Sequence, residues 1–560
     1  MKIKNIGLLV ATSAVLASCG KFNLHKITYK VVPDPLELRG DSVEITVNAE
    51  YPKKTIPKKS TAEATPVLKF KGGEKDYKTL YFKGEKMEGA QGTTINWAGG
   101  SFKYNSKIAY VDGMQESELH VKGKGYNKKG KLKYEGITET PIAYGVITTP
   151  LWTQKDDQFV YGKHAYGPIY LTKKVTAYFP YNSASLRGSE KDSVAKGSFN
   201  KFVQDQIADG GTFEKVEING WASPDGEETR NNDLSAQRAK EVEKYAASYF
   251  KGKKVTVTTD AKGNGEDMNG FNTLANSSNV EGKNDFISQV KSGASNSQLK
   301  AKGGKAFNEF EKEVLSPLRK AEMVLTVKQR EKTNDELVKL AKEDVKKLTL
   351  EEALYTVETL IEDDATKVQI LENIAKEFPE DYRATNNIGV IYAKQGKLDE
   401  ALTKFLEAEK IAPSEAAVKN NIGAIYMRKG DKEQALAYYK QGAGSKENNH
   451  NLGNVYILQG KYNEAVSAYS DECSFNAALA KLLNGNPEKV NEILDCSPEK
   501  ETAAAYYLRA IAAARTNSTN TAITNLKEAI SKDPSLKAKA KADLEFRNLR
   551  ENSEFKSLVN

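Results

Sequence analysis

At 560 residues the chain is long enough for about three or four domains, each with its own core. Charged residues make up 28% and the mean hydropathy is −0.59, which excludes a bundle of membrane-spanning helices. The formal net charge of +8 raises nucleic acid as a partner until the first residues, which carry an address, are read.

Lys2 and Lys4 precede an apolar run over 6–17 that ends in Leu16-Ala17-Ser18-Cys19. That run is a signal peptide (1–18) and not a span, which needs about 20 apolar residues. Its last four residues resemble a lipobox, and the resemblance implies cleavage before Cys19 and lipid on the Cys19 thiol. Gly20, Lys21, Phe22 and Asn23 lack the Asp that retains many lipoproteins at the inner membrane. They also lack the acidic cluster that resembles export signals in Bacteroidota. The implied address is the outer membrane, lipid-anchored and facing the periplasm. There the basic surface suits anionic headgroups, lipopolysaccharide or acidic proteins, and nucleic acid drops out as a partner. The densest basic run, KGKGYNKKGKLK over 122–133, reads as a solvated hairpin tip turning at Asn127-Lys128-Lys129-Gly130.

Residues 19–165 are poor in helix signal and rich in short alternating segments (27–31, 43–47, 66–70, 119–121) separated by Gly, Pro and Asn-Lys turns. This predicts an all-β sandwich domain, as one or two immunoglobulin-like modules.

The next domain is read over 170–330. A strand over 175–179 and a helix over 194–207 lead into VEINGWASPDGEETRNNDLSAQRAKEVEKYAASY over 216–249. Val216 and Ile218 alternate as in a strand, and the chain turns helical from about Arg230. On a helix Leu234, Arg238, Val242, Tyr245 and Tyr249 form one stripe. A guanidinium in its middle must meet a carboxylate, from the protein or from a ligand, because an unpaired buried charge is too costly.

This stretch resembles the OmpA-like peptidoglycan-binding domain, whose core reads roughly GHTDxxGxxxxNxxLSxxRA. Gly220, Gly226, Asn231, Leu234, Ser235, Arg238 and Ala239 match in identity and spacing. The resemblance implies an α+β domain that grips the diamino acid of the peptidoglycan stem. Arg238 would take its carboxylate, with Asn231 helping. The family's His is Trp221 here and its Asp is Ser223, so Asp225, two residues on, is the candidate ammonium acceptor. A third strand over 255–265 and a closing strand over 319–327 complete the resemblance, which covers about 175–328. Between them lies an insertion over 268–318, Asn/Ser/Gly/Lys-rich at first and helical later, whose composition leaves its order open. GNGED over 263–267 lacks EF-hand ligand spacing and reads as a turn.

A charged helical linker or partial repeat spans 331–378. Repeats follow over 379–560. Asn387-Ile388-Gly389 recurs as Asn421-Ile422-Gly423 and Asn451-Leu452-Gly453, and Tyr392, Tyr426 and Tyr456 keep the same offsets. So do Gly396, Gly430 and Gly460, and Ala401, Ala435 and Ala465. A period near 34 marks tetratricopeptide repeats, an all-α solenoid with a concave groove. A weaker unit with Ala522 and Pro534 closes the array. Asn387, Asn421 and Asn451 share one register in that groove; they either hold the backbone of an extended partner peptide or pair among themselves and with water. Cys473 and Cys496 flank a degenerate helix pair, and an oxidising compartment favours a disulfide between them, stabilising by about 3 kcal/mol.

His25, His120, His164 and His450 are scattered, and no zinc, nucleophile-elbow, P-loop or dinucleotide motif occurs. The sequence therefore predicts a non-enzymatic protein without metal or cofactor, resembling the multidomain OmpA-like/tetratricopeptide lipoproteins of Bacteroidota. It would link the outer membrane to peptidoglycan and recruit periplasmic proteins through its repeats. One alternative is a structural subunit of an outer-membrane secretion or barrel-assembly machine. A second is a cell-wall hydrolase.

Overall fold

The computed structural model describes residues 22–560, so the signal peptide and Cys19 lie outside the described residues. The chain divides into two compact units. One joins the residues up to Lys163 with Asp363–Asn560, and the other is His164–Glu362.

The first unit begins with two sheets. In the five-stranded sheet the order is Thr28–Val32, Ser42–Tyr51, Leu36–Arg39 and Val146–Ile147, with Gly100–Ala109 also paired to Ser42–Tyr51. In the seven-stranded sheet the order is Leu132–Ile137, Ser117–Tyr126, Thr61–Phe70, Leu80–Gly84 and Thr93–Ile95, with two short strands alongside. Period-two alternation decides what is inside. Val43, Ile45 and Val47 of one sheet pack with Leu68 and Leu119 of the other. A second cluster also draws on both sheets, Ala49 and Tyr51 meeting Ala62, Phe82 and Val121. The strands therefore build one pair of facing sheets, not two successive modules. At the basic hairpin, Asn127 Oδ1 accepts from the amides of Lys129 and Lys131, each at 3.0 Å, and Gly130 takes φ +74°.

After Ile147 the chain leaves the sheets, and after Asp363 the same unit continues as antiparallel helix pairs. These are Arg383–Lys394 with Leu398–Ile411, Ala416–Arg428 with Lys432–Gln441, and Lys446–Leu458 with Tyr462–Tyr469. Phe475–Leu483 with Val490–Cys496 and Ala503–Arg515 with Thr519–Lys532 follow. Small residues set the spacing: a Cβ on Gly423 would lie 2.7 Å from the ring of Tyr439. Cys473 and Cys496 are bonded to each other, with Cα atoms 5.5 Å apart.

The second unit holds a four-stranded sheet in the order Tyr170–Tyr178, Lys320–Lys328, Thr212–Ala222, Thr258–Glu266. The last two strands are parallel and the other pairings antiparallel. The parallel pair requires a crossover, which is the helix Glu228–Gly252. That helix packs closely because Gly220 has no side chain; a Cβ there would lie 2.1 Å from the Ser235 carbonyl oxygen. The single helix expected over 194–207 is two, Gly188–Lys196 and Ser198–Ala208, broken at Gly197. The insertion folds into Met268–Ser277, Lys283–Lys291 and Asn296–Phe310 around a core of Phe271, Phe286, Leu299, Phe307 and Phe310. The stretch read as a linker is divided: Asn334–Glu343 and Leu350–Tyr355 go with this unit, and Asp364–Glu377 goes with the repeats.

Candidate functional site

Two places bring the singled-out residues together, one in each unit. In the second unit the loop 223–227 lies where the strand Thr212–Ala222 ends and the long helix begins. Tyr181, Asn182, Ser223, Asp225, Glu227, Arg230, Asn231, Arg238, Ser295 and Arg319 contribute to a pocket of about 220 Å³ there.

Arg238 is 1% exposed, yet among the described residues no carboxylate lies within ion-pair distance of it. Of the two sources expected for its carboxylate, protein or ligand, the described residues do not supply the first, and main-chain oxygens stand around it instead. Its Nη1 donates to the Trp221 carbonyl at 2.8 Å, Nε to Ser183 at 3.0 Å and Nη2 to Pro180 at 3.3 Å. The ring of Phe179 lies 5.4 Å from the guanidinium carbon. A guanidinium carries five N–H groups, so one on each Nη is left for something else. Burial and the neighbouring Arg319 bring its pKa down to about 10, with Asp225 opposing.

Asp225 is not open to an ammonium group, contrary to its sequence assignment. It is 2% exposed, Ser223 Oγ donates to its Oδ1, and Asn296 Nδ2 and Arg319 Nη2 donate to its Oδ2 at 2.6 and 3.0 Å. Arg319 also reaches Glu311 at 3.0 Å and donates from Nε to Ser223 Oγ at 3.1 Å. Ser223 is thus committed on both sides. Asn231 donates from Nδ2 to the Ser223 carbonyl at 3.1 Å and to Glu266 Oε1 at 2.8 Å, so it braces the loop. Arg319, Asn296 and Glu311 were missed in the sequence. Arg319 reads there as the first residue of a strand. The helix carrying Asn296 is announced by the capping box Ser295–Gln298, a signal that was available.

In the first unit, residues 153–163 cross the concave face of the repeats as an extended strap. Asn387, Asn421 and Asn451 each accept from a strap amide and donate to the carbonyl of the same residue. Their partners are Gly162 (2.7 and 3.1 Å), Val160 (2.8 and 2.8 Å) and Gln158 (2.8 and 2.8 Å). Asn476, which the sequence reading passed over, does the same for Gln154 at 2.8 and 3.0 Å. Alternate residues are held because an extended chain turns every second peptide to the same side. Asn386 and Asn420 form a second column, donating to Val160 and Gln158 at 3.0 and 2.9 Å. The groove assigned to a partner is therefore filled by the chain itself.

Side chains fix the register of the strap. Phe159 stacks on Phe405 at 6.2 Å, with the Arg428 guanidinium 4.6 Å from its ring, and Asp157 lies 3.7 Å from Arg428. Trp152 stacks on Tyr507 at 4.7 Å with Lys539 Nζ 3.5 Å above it. A Cβ at Gly162 would meet Arg383 at 2.6 Å, so the strap admits no side chain there. His450, 1% exposed, has Nδ1 2.5 Å from Glu472 Oε1. Its Nε2 lies 3.0 Å from Asp156 Oδ1, near enough for an ion pair but off the line of a hydrogen bond. Burial disfavours its charge, but Asp156 and Glu472 outweigh this and raise its pKa to about 9.

Among the described residues no cluster of His, Cys, Asp and Glu could hold a metal ion. No helix among them is long and apolar enough to cross a membrane.

Residues 389–430 match a TPR repeat family, and 416–449 and 447–471 match a tetratricopeptide repeat family. No curated protein matches the chain. Among solved structures it is similar to the APC/C hetero-tetramer Cut9–Hcn1, with 13% identity and a TM-score of 0.28. That match covers 40% of this chain and 51%, about half, of the other. A tetratricopeptide repeat protein from Parabacteroides merdae is 19% identical, with 40% of this chain and 97% of that one covered and a TM-score of 0.26. YrrB, a TPR protein with an unusual peptide-binding site, is 12% identical over 34% of this chain and 89% of that one, with a TM-score of 0.23.

Proposed function

We propose that the chain is a tethered scaffold, held to the outer membrane by lipid on Cys19 and to peptidoglycan by the Arg238 pocket of an OmpA-like domain. TPR repeats are protein–protein interaction modules, and here they would bring periplasmic or outer-membrane proteins to the tether. The observation that carries the wall contact is Arg238: a buried guanidinium that, among the described residues, has two N–H groups unused and no carboxylate partner, with a pocket of about 220 Å³ beside it. A carboxylate entering that pocket would complete the charge pairing that the fold leaves unmade. Because the groove is filled from within, partner proteins would meet the outer faces of the array or the β sheets. Weak contacts on one tether reinforce each other through effective concentration.

The test is co-sedimentation of the unlipidated chain with purified sacculi. The wild type is expected in the pellet, and Arg238→Ala is expected to lose roughly tenfold or more in affinity while staying folded by circular dichroism, at a lowered melt because three main-chain carbonyls lose their donor. A wild type that stays in the supernatant overturns the wall contact.

The commitment of Asp225 to Arg319 favours a second reading, a structural subunit of an outer-membrane assembly whose pocket meets protein. Purification from detergent-solubilised membranes separates the two. Stoichiometric barrel proteins would indicate the assembly, and release that depends on muramidase would indicate the wall.

A further inference from the structure

We infer that the Arg238 pocket recognises a lone chain-terminal carboxylate and does not select for an ammonium group beside it. The inference rests on the reading of this pocket as a ligand site and specifies what it takes.

Recognition of an amino-acid end by both its charges needs two free groups of opposite sign within reach of one carbon atom. The positive one is present, since Arg238 has no ion-pair partner among the described residues and retains one N–H on each Nη. The negative one is not. Asp225 is held at Oδ2 by Asn296 and Arg319 and at Oδ1 by Ser223, and it is 2% exposed. Freeing it would leave the Arg319 guanidinium, itself 4% exposed, with Glu311 as its one remaining carboxylate among the described residues. The other carboxylate lining the pocket, Glu227, makes no side-chain hydrogen bond or ion pair among the described residues, but it is exposed. An ion pair formed there is screened by water and contributes little. Three guanidinium groups, of Arg230, Arg238 and Arg319, line the same space. An ammonium entering with its carboxylate would approach them without a free buried acid to receive it. A carboxylate whose α-nitrogen is already an amide meets no such opposition. In the peptidoglycan stem that group is the terminal D-amino acid; in a protein it is the C-terminus.

Calorimetric titration of the full unlipidated chain tests this with three probes: N-acetyl-D-alanine, N-acetyl-D-alaninamide and free meso-diaminopimelate. N-acetyl-D-alanine is expected to bind at least about tenfold tighter than its amide, as fits a charge-assisted fork contact. Diaminopimelate is expected to bind no tighter than N-acetyl-D-alanine. Equal binding of the amide, or diaminopimelate bound about tenfold tighter than N-acetyl-D-alanine, overturns the inference. Arg319→Gln supplies an independent arm. Removing the charge partner of Asp225 should shift the ratio toward diaminopimelate by about fivefold, and an unchanged ratio in a variant that is still folded at the titration temperature refutes the role given to Arg319. N-acetyl-L-alanine separates the sources. If it binds tighter than the D-isomer, the lone-carboxylate inference stands and the wall contact fails. If sacculi are bound but diaminopimelate is preferred, the wall contact stands and this inference fails.

Discussion

Asp225 and Arg319 form a buried pair, at 2% and 4% side-chain exposure, with Asn296 and Ser223 completing the donors around the carboxylate. Removing one charge of such a pair costs far more than the pair itself contributes. Asp225→Asn is expected to destabilise the second unit by about 3 kcal/mol in urea unfolding, whereas Arg230→Ala, at the exposed rim, should change it by under about 0.5 kcal/mol. Equal effects would show that the pair does not hold the loop. The contrast also marks how far the sequence could be read at this scale. Arg238 was legible because its position in an apolar stripe forces the question of its counter-charge. The fate of Asp225 was not, since its partners Arg319 and Asn296 lie 94 and 71 residues further on and nothing local links them. A motif names the residues on one loop and says nothing about what an inserted helix lays against it.

At the scale of elements the strap and the asparagine columns behave as one device. Removing the Asn421 amide leaves the Val160 N–H without its partner in a buried setting, while the Val160 carbonyl keeps Asn386. Asn421→Ala should therefore destabilise the first unit by about 2 kcal/mol and raise amide exchange at Val160. Unchanged exchange at Val160 would show that the side chains, not the amides, hold the strap. His450 gives the same device a pH dependence. Its folded pKa, about 9, lies above the ordinary histidine value of 6.5. The stabilisation is thus full below about pH 6.5 and is lost as pH rises through about 9. Strap protection measured by exchange or limited proteolysis should fall between pH 7 and 9.5, and His450→Gln should flatten that fall. Here the repeat was legible from its offsets, and so was the shared register of Asn387, Asn421 and Asn451. Asn476 escaped because its unit lacks the Asn-Ile-Gly signature, reading Asn476-Ala477-Ala478 instead. The strap escaped because alternation in a segment says it is extended but not which surface it lies on.

Over the whole molecule, the β sheets and the repeats share one compact unit although 199 residues, His164–Glu362, intervene between their segments. Direct contacts support the strap in joining them: Arg39 Nε donates to the Gly460 carbonyl at 2.9 Å, and the Tyr462 hydroxyl donates to Leu38 at 3.3 Å. Replacing 153–162 by a Gly/Ser linker of equal length should split the calorimetric transition of this unit into two, because the sheets and the repeats would then melt on their own. A single undivided transition would mean the direct contacts suffice. No compositional signal foretold this arrangement. The β and α segments each read correctly as classes, but their union depends on contacts too distant in sequence for any pattern to carry.

The strap has a consequence for the order of events during synthesis. Gly162 leaves the ribosome well before Asn387, which lies 225 residues later, and Gln154 precedes Asn476 by 322. For that interval the segment has nothing to pair with, while the intervening 164–362 can complete its own sheet. Contacts of such span close late and slowly. The first unit therefore cannot mature until the chain is nearly finished, and its assembly belongs after translation. A shortened chain ending before residue 475 would keep a folded second unit yet leave Gln154 without Asn476, with Asp156 held by His450 and Asn454 but no longer by Asn476. Such a product should be cleaved first within 150–157, a site that partial digestion of nascent or truncated chains would reveal.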